Sequence, residues 1–141
     1  MPFDAGSVTR MQLRWRDIDG WGHLTHSVYH DFLAEGRLAL ITARLPGSAF
    51  DFVIARVEID YRREVRREAD YVDVTGEIAQ IGGKSFTINQ RIVLPDGSVA
   101  AEARSVMVAW DGATRGAREL APRERIALAP GRAPSGQPDE R

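Results

Sequence analysis

The 141-residue sequence contains no cysteine. That absence excludes a disulfide framework, a thiolate metal centre and a cysteine nucleophile. Long hydrophobic runs are missing as well. Nothing approaches the about 18 consecutive apolar residues of a membrane span, and Met1 to Arg10 carries no apolar stretch of signal-peptide length. A cytoplasmic protein with no membrane partner is therefore expected. Nor is there a charge excess of either sign. Nineteen basic and 20 acidic residues leave a formal net charge of −1, so no global field draws the chain to nucleic acid. What is present is an ordinary globular balance, 43% hydrophobic and 28% charged, in a length that suits one domain with its own core.

The patterning predicts strand, helix, then four strands. Met11, Leu13 and Trp15 alternate with Gln12 and Arg14, as in a half-buried strand. Asp17 to His23 holds two aspartates and two glycines and reads as a loop. Thr25 or Ser27 can cap a helix. Val28, Phe32, Gly36, Ala39 or Leu40, and Ala43 form its apolar stripe, and Pro46-Gly47 ends it. Gly36 costs that helix roughly 1 kcal/mol against alanine, so a close approach to another backbone is expected there.

The period then falls to two. Val53, Ala55, Val57, Ile59 and Tyr61 share a face, as do Val72, Val74, Gly76 and Ile78, and then Phe86, Ile88, Gln90 and Ile92. Pro95-Asp96-Gly97 turns the chain into a last strand with Val99, Ala101, Ala103, Ser105, Met107 and Ala109 on one face. This is an α+β order with a mostly antiparallel sheet. One helix covers such a sheet incompletely, and dimerisation is the expected remedy. Arg123 to Leu128 suits a short turn of helix. The domain is expected over residues 1–130, with a polar, disordered tail over 131–141.

All three histidines and two close carboxylates fall between Arg14 and Arg37. Glycines at 20 and 22 let the chain fold back and aim Asp19 at the helix start, where free N–H groups near His26 and Ser27 can hold an oxyanion. A carboxylate facing such donors suffices for acyl transfer. The plainer reading is that Asp19 caps a turn. Asp17 reads as structural, paired with Arg14 or Arg16. His26 and His30 lie one helical turn apart, a spacing known from zinc sites, but no HExxH pattern accompanies them and no metal is expected. His23 suits a loop-packing role, and Tyr29 either donates to substrate or anchors the helix start. Glu35 can act as a helix-borne base or pair with an arginine.

Arg16-Asp17-Ile18-Asp19-Gly20-Trp21-Gly22-His23-Leu24, followed by Tyr29, Phe32, Glu35 and Arg37, resembles the signature of the 4-hydroxybenzoyl-CoA thioesterase-like branch of the hotdog superfamily. Val53 to Val65 and Ile81 to Ile92 resemble its central strand and a later turn and strand. The likeness spans about residues 8 to 128. It implies a hotdog fold, a five-stranded antiparallel sheet wrapped around a long helix. It also implies homodimers or homotetramers with active sites at the dimer interface, and no cofactor. It selects Asp19 as the catalytic carboxylate and the His26 N–H as the group that polarises the thioester carbonyl, with His23 and Tyr29 beside them. Gly22, Ser27, Arg62, Arg63 and Lys84 become candidates for substrate binding, with Arg66 and Arg67 as further phosphate contacts. Thr25 and His26 stand where many relatives carry asparagine, Glu64 where proline is common, and Arg66 to Asp70 is one residue longer.

The expected activity is hydrolysis of an acyl-CoA thioester to free acid and CoA, with Asp19 as general base or nucleophile. The alternatives are a carrier-protein thioesterase and a hotdog protein that binds acyl thioesters without cleaving them. A hotdog dehydratase needs a different Asp/His arrangement, which is absent.

Overall fold

The computed structural model describes residues 7–131. The expected tail therefore lies outside the described residues, apart from Gly131. The chain runs β1 (Ser7–Gln12), α1 (His26–Arg44), β2 (Phe52–Tyr61), β3 (Tyr71–Ile81), β4 (Ser85–Val93), β5 (Val99–Asp111), β6 (Gly116–Ala117) and α2 (Pro122–Ala127). The five long strands form an antiparallel sheet in the order β1-β3-β4-β5-β2, and the two-residue β6 adds to β5. One long helix lies against the sheet's inner face. This is the hotdog fold that the resemblance implies.

The helix forms for the reasons its pattern gives. Val28, Tyr29, Phe32, Leu33, Gly36, Leu40 and Ile41 recur at three- and four-residue spacing and are buried. They meet Val72, Val74 and Ile92 at one end, and Ile78, Phe86, Ile88 and Met107 at the other. Thr25 is the N-cap, without a side-chain hydrogen bond, and Leu45 is the C-cap before Pro46. α1 leans on β1, β3 and β4. The inner face of β2 stays comparatively open: Val57 and Ile59 are half-buried, and Ile54 and Tyr61 are exposed.

Gly36 is required, though not by a backbone. A Cβ there would come within 2.7 Å of Val74 Cγ1 and 2.8 Å of Gln90 Nε2, so the expected backbone approach is corrected to two side chains. Val74 is buried and stiff at χ1, and Gln90 Nε2 is held by the Leu33 carbonyl at 3.0 Å. Neither can yield cheaply. Overpacking of this kind costs about 1–3 kcal/mol and outweighs the helix-propensity gain. Gly36→Ala should therefore lower the urea midpoint; a raised midpoint would contradict the contact.

Three further differences from the pattern have local causes. The first strand is Ser7–Gln12, and Trp15–Asp17 forms a 3-10 turn, so Trp15 leaves the core and stands 78% exposed. In β2 the register shifts between Ile54 and Arg56. Such a bulge reverses which side chains face inward. Phe52 and Ile54 therefore pair with the inward Ala109 and Met107, whereas Val53 lies opposite the outward Val108. The single inward set from Val53 to Tyr61 holds only from Val57 onward. Finally, β6 carries too few residues to show a period.

Candidate active site

The loop before α1 is built from two differently employed aspartates. Asp17 is 1% exposed. It accepts the Arg14 N–H at 2.8 Å and pairs with the Arg14 guanidinium at 2.9 Å. Burial alone would raise its pKa, but the bonds from Arg14 outweigh that and hold it below the usual carboxylate range. The Asp17 carbonyl accepts the Thr25 N–H at 2.7 Å, and Ile18 bridges to Leu24. The loop is thus pinned to the helix start, and Asp17 is its structural acid.

Asp19 sits at the tip. Its N–H donates to the His23 carbonyl and its carbonyl accepts the Gly22 N–H. Oδ1 accepts the N–H groups of Trp21 at 2.9 Å and His23 at 3.1 Å. Oδ2 accepts no hydrogen bond among the described residues. Asp19 therefore does cap a turn, and the cap fixes the carboxylate's direction while leaving one oxygen available. Gly22, at φ 86°, supplies the left-handed step that closes the turn.

At the helix start, Val28 N–H bonds the Thr25 carbonyl, whereas the N–H groups of His26 and Ser27 meet no acceptor among the described residues. The His26 ring does have a partner. Its Nε2 is 2.9 Å from the Tyr61 hydroxyl, and the rings lie 4.8 Å apart. Tyr29 stands edge-on to Tyr61 at 5.0 Å. Burial, with Tyr61 beside it, pushes the Tyr29 hydroxyl above the usual tyrosine range, and burial does the same to Tyr61. Both stay protonated at neutral pH and can donate.

His23 turns away from this cluster, with Nε2 2.7 Å from Glu64 Oε1. The three histidines do not converge, and among the described residues no three histidine or acidic side chains stand together as a metal site. His30 and Glu35 are exposed on α1. Asp19 and Gly22 share a cleft of about 540 Å³ with Trp21, Arg66 and Arg67. His26, Ser27 and Tyr29 do not line it.

The expected phosphate contacts are also split along the sheet. The N–H groups of Arg62 and Arg63 bond the Ala100 carbonyl, whereas the Lys84 carbonyl bonds the Ala109 N–H. Nine residues of β5 separate those positions, about 30 Å. Arg62 is further engaged by Glu102 at 3.1 Å. Arg67 stacks on Trp15 at 4.1 Å.

A family model described as the thioesterase-like superfamily matches residues 13–136. The chain belongs to that superfamily. No curated protein matches it, but solved structures do. A predicted thioesterase from Bacillus stearothermophilus is 27% identical, covers 88% of this chain and 94% of its own, and superposes with a TM-score of 0.79. A thioesterase from Thermus thermophilus, complexed with coenzyme A and Zn, is 25% identical over 89% and 92%, with a TM-score of 0.80. A 1,4-dihydroxy-2-naphthoyl-CoA thioesterase from Synechocystis shares the fold at 17% identity, over 88% and 96%, with a TM-score of 0.74.

Tyr61 and Glu64, the partners of His26 and His23, are not among the residues that the sequence pattern marks as candidates. Tyr61 is legible as the last member of an alternating strand, and Glu64 only through the family resemblance, as a departure from a common proline. Their partners, His26 and His23, lie 35 and 41 residues away in sequence, and no local period reports a contact of that range.

Proposed function

We propose that this thioesterase-like chain hydrolyses an acyl-CoA thioester to a free acid and CoA. Water adds to the carbonyl carbon, and the thiolate leaves and takes up a proton. Asp19 Oδ2 removes the proton of the attacking water or itself attacks the carbonyl. The His26 N–H, with Ser27 beside it, holds the developing oxyanion. Tyr29 and Tyr61 orient this end of the helix, and His26 is fixed through Tyr61. Two separate observations support the reading: an oriented Asp19 with one carboxylate oxygen unengaged, and a helix start whose first N–H groups lack acceptors among the described residues, in a chain of this superfamily.

Within one protomer, Asp19 and those N–H groups are not in a common cleft. The reading therefore includes a dimer that completes the site across the open side of β2. Arg62, Arg63, Arg66 and Arg67 at one sheet end and Lys84 at the other are contacts for the CoA phosphates from different protomers. His23, with Nε2 2.7 Å from Glu64 Oε1, closes the loop beside Gly22.

A non-catalytic acyl-thioester-binding protein is the second reading. It is favoured by the engagement of Asp19 Oδ1 in its own turn. The deciding experiment is release of free thiol from a panel of aliphatic and aromatic acyl-CoAs and acyl carrier proteins. Turnover of CoA substrates supports the proposal, turnover of carrier protein alone moves the substrate class, and no turnover with saturable binding selects the second reading.

A further inference from the structure

Arg37 is a half-buried cation whose Nη1 meets only neutral acceptors. Gln90 Oε1 lies at 3.4 Å and Ser105 Oγ at 3.3 Å, both long for charge-assisted bonds. Burial lowers its pKa, and no carboxylate of the described residues counters that. Arg14 and Arg118 differ sharply, with carboxylates at 2.9 and 2.8 Å. The position is nevertheless built. Gln90 is 2% exposed, and its Nε2 donates to the Leu33 carbonyl, which turns Oε1 toward the guanidinium. Guanidinium remains protonated in proteins, and a cation withdrawn from water calls for an anion.

Its place in the fold indicates which anion. Arg37 follows His26 by eleven residues, close to three turns, on the same helix face and about 16 Å along the axis. The sheet marks out the same interval. Tyr61 holds His26, and Val57 lies opposite Ser105, which holds Arg37. Those two β2 residues are about 13 Å apart. Between them the inner face offers Ile59, paired with Ala103. A strip thus begins at the proposed thioester position, continues over apolar and small side chains, and ends at a cation.

We propose that Arg37 receives the carboxylate at the far end of a dicarboxylic acyl group, making the preferred substrate a mono-CoA thioester of a dicarboxylic acid. This rests on the thioesterase reading above for the position of the thioester. The test compares dicarboxylic acyl-CoAs of increasing length with methyl-ended acyl-CoAs of matched length, in wild type, Arg37→Met and Arg37→Lys. Wild type should show kcat/KM at least about tenfold higher for the carboxylate-ended partner at the optimal length, the scale of a hydrogen bond to a charged group. Arg37→Met should abolish that ratio, and Arg37→Lys should retain part of it. Arg37→Gln replaces Arg37→Met should the latter fail to fold.

A wild-type ratio near one, or a ratio that survives Arg37→Met, overturns the proposal. So does a changed oligomeric mass in Arg37→Met with no substrate preference in wild type, which would assign the anion to a second copy of the chain. Calorimetric titration with free dicarboxylate and matched monocarboxylate separates this idea from the thioesterase reading. Arg37-dependent preference for dicarboxylate without any thiol release would sink the hydrolase and keep the anion site.

Discussion

Asp19→Asn is expected to lower kcat by about 10²- to 10⁴-fold, the usual range for a positioned acid–base group. The substitution separates chemistry from architecture. Asparagine keeps an oxygen that can accept the Trp21 and His23 N–H groups now held by Oδ1, so the turn and its pin to the helix start should persist. What is lost is the basicity and nucleophilicity of Oδ2. Strongly reduced thiol release with a thermal midpoint close to wild type is the expected pair of results. Undiminished turnover would remove Asp19 from the mechanism and leave it the turn cap it also is. Lost turnover with a collapsed midpoint would indicate that the turn needs the full carboxylate.

The largest expected stability effect lies at the far end of the chain, at Glu124. Its side chain is 1% exposed, pairs with Arg118 at 2.8 and 2.9 Å, and accepts the Ala121 N–H at 2.8 Å. Removing one member of a buried pair strands the other. Arg118 keeps 27% of its side chain exposed and also reaches the Trp110 and Asp51 carbonyls. The cost of Glu124→Ala is therefore set below that of a fully buried pair, at about 2–3 kcal/mol. Arg118 holds the Glu124 pKa below its ordinary value of 4.5. A lowered folded pKa stabilises above the unfolded value, and the contribution fades as pH falls through the lowered one. Urea midpoints of wild type and variant should thus differ most near neutral pH and converge in acid. A constant gap would mean that the charge is not what matters.

The fold was legible where one face is buried and the strand is regular. β3, β4 and β5 show their alternation because their register shifts, after Ile78 and at Ile92–Val93, fall near strand ends and leave the inward sets before them in phase. β2 misled because one bulged residue inverts the phase, and nothing in VIARVEIDY marks the bulge. The pattern sets the first strand too late because Val8 is the sole large apolar residue of β1 before Met11, and the identity of β1 as a strand comes from pairing with β3, from Ser7–Gly76 to Gln12–Tyr71. The site divides in the same way. Asp19 and its loop are a local matter of glycine, aspartate and helix start. The ties from His26 to Tyr61, His23 to Glu64 and Arg37 to Ser105 join segments that meet only once the sheet has closed.

Arg44 carries a consequence for how the chain is made. This buried residue at the end of α1 donates to the Ala127 and Ala129 carbonyls, 83 and 85 residues later. Leu120 and Leu128 finish the same apolar cluster as Leu40, Ile41 and Leu45. On the ribosome, the central helix emerges long before the segment that seals its C-terminal end. Native closure must wait until the segment from Leu120 to Ala129 has been made, since domains fold as units. A nascent chain arrested before Pro122 should remain sensitive to protease around Arg44, and one extended past Ala129 should become resistant.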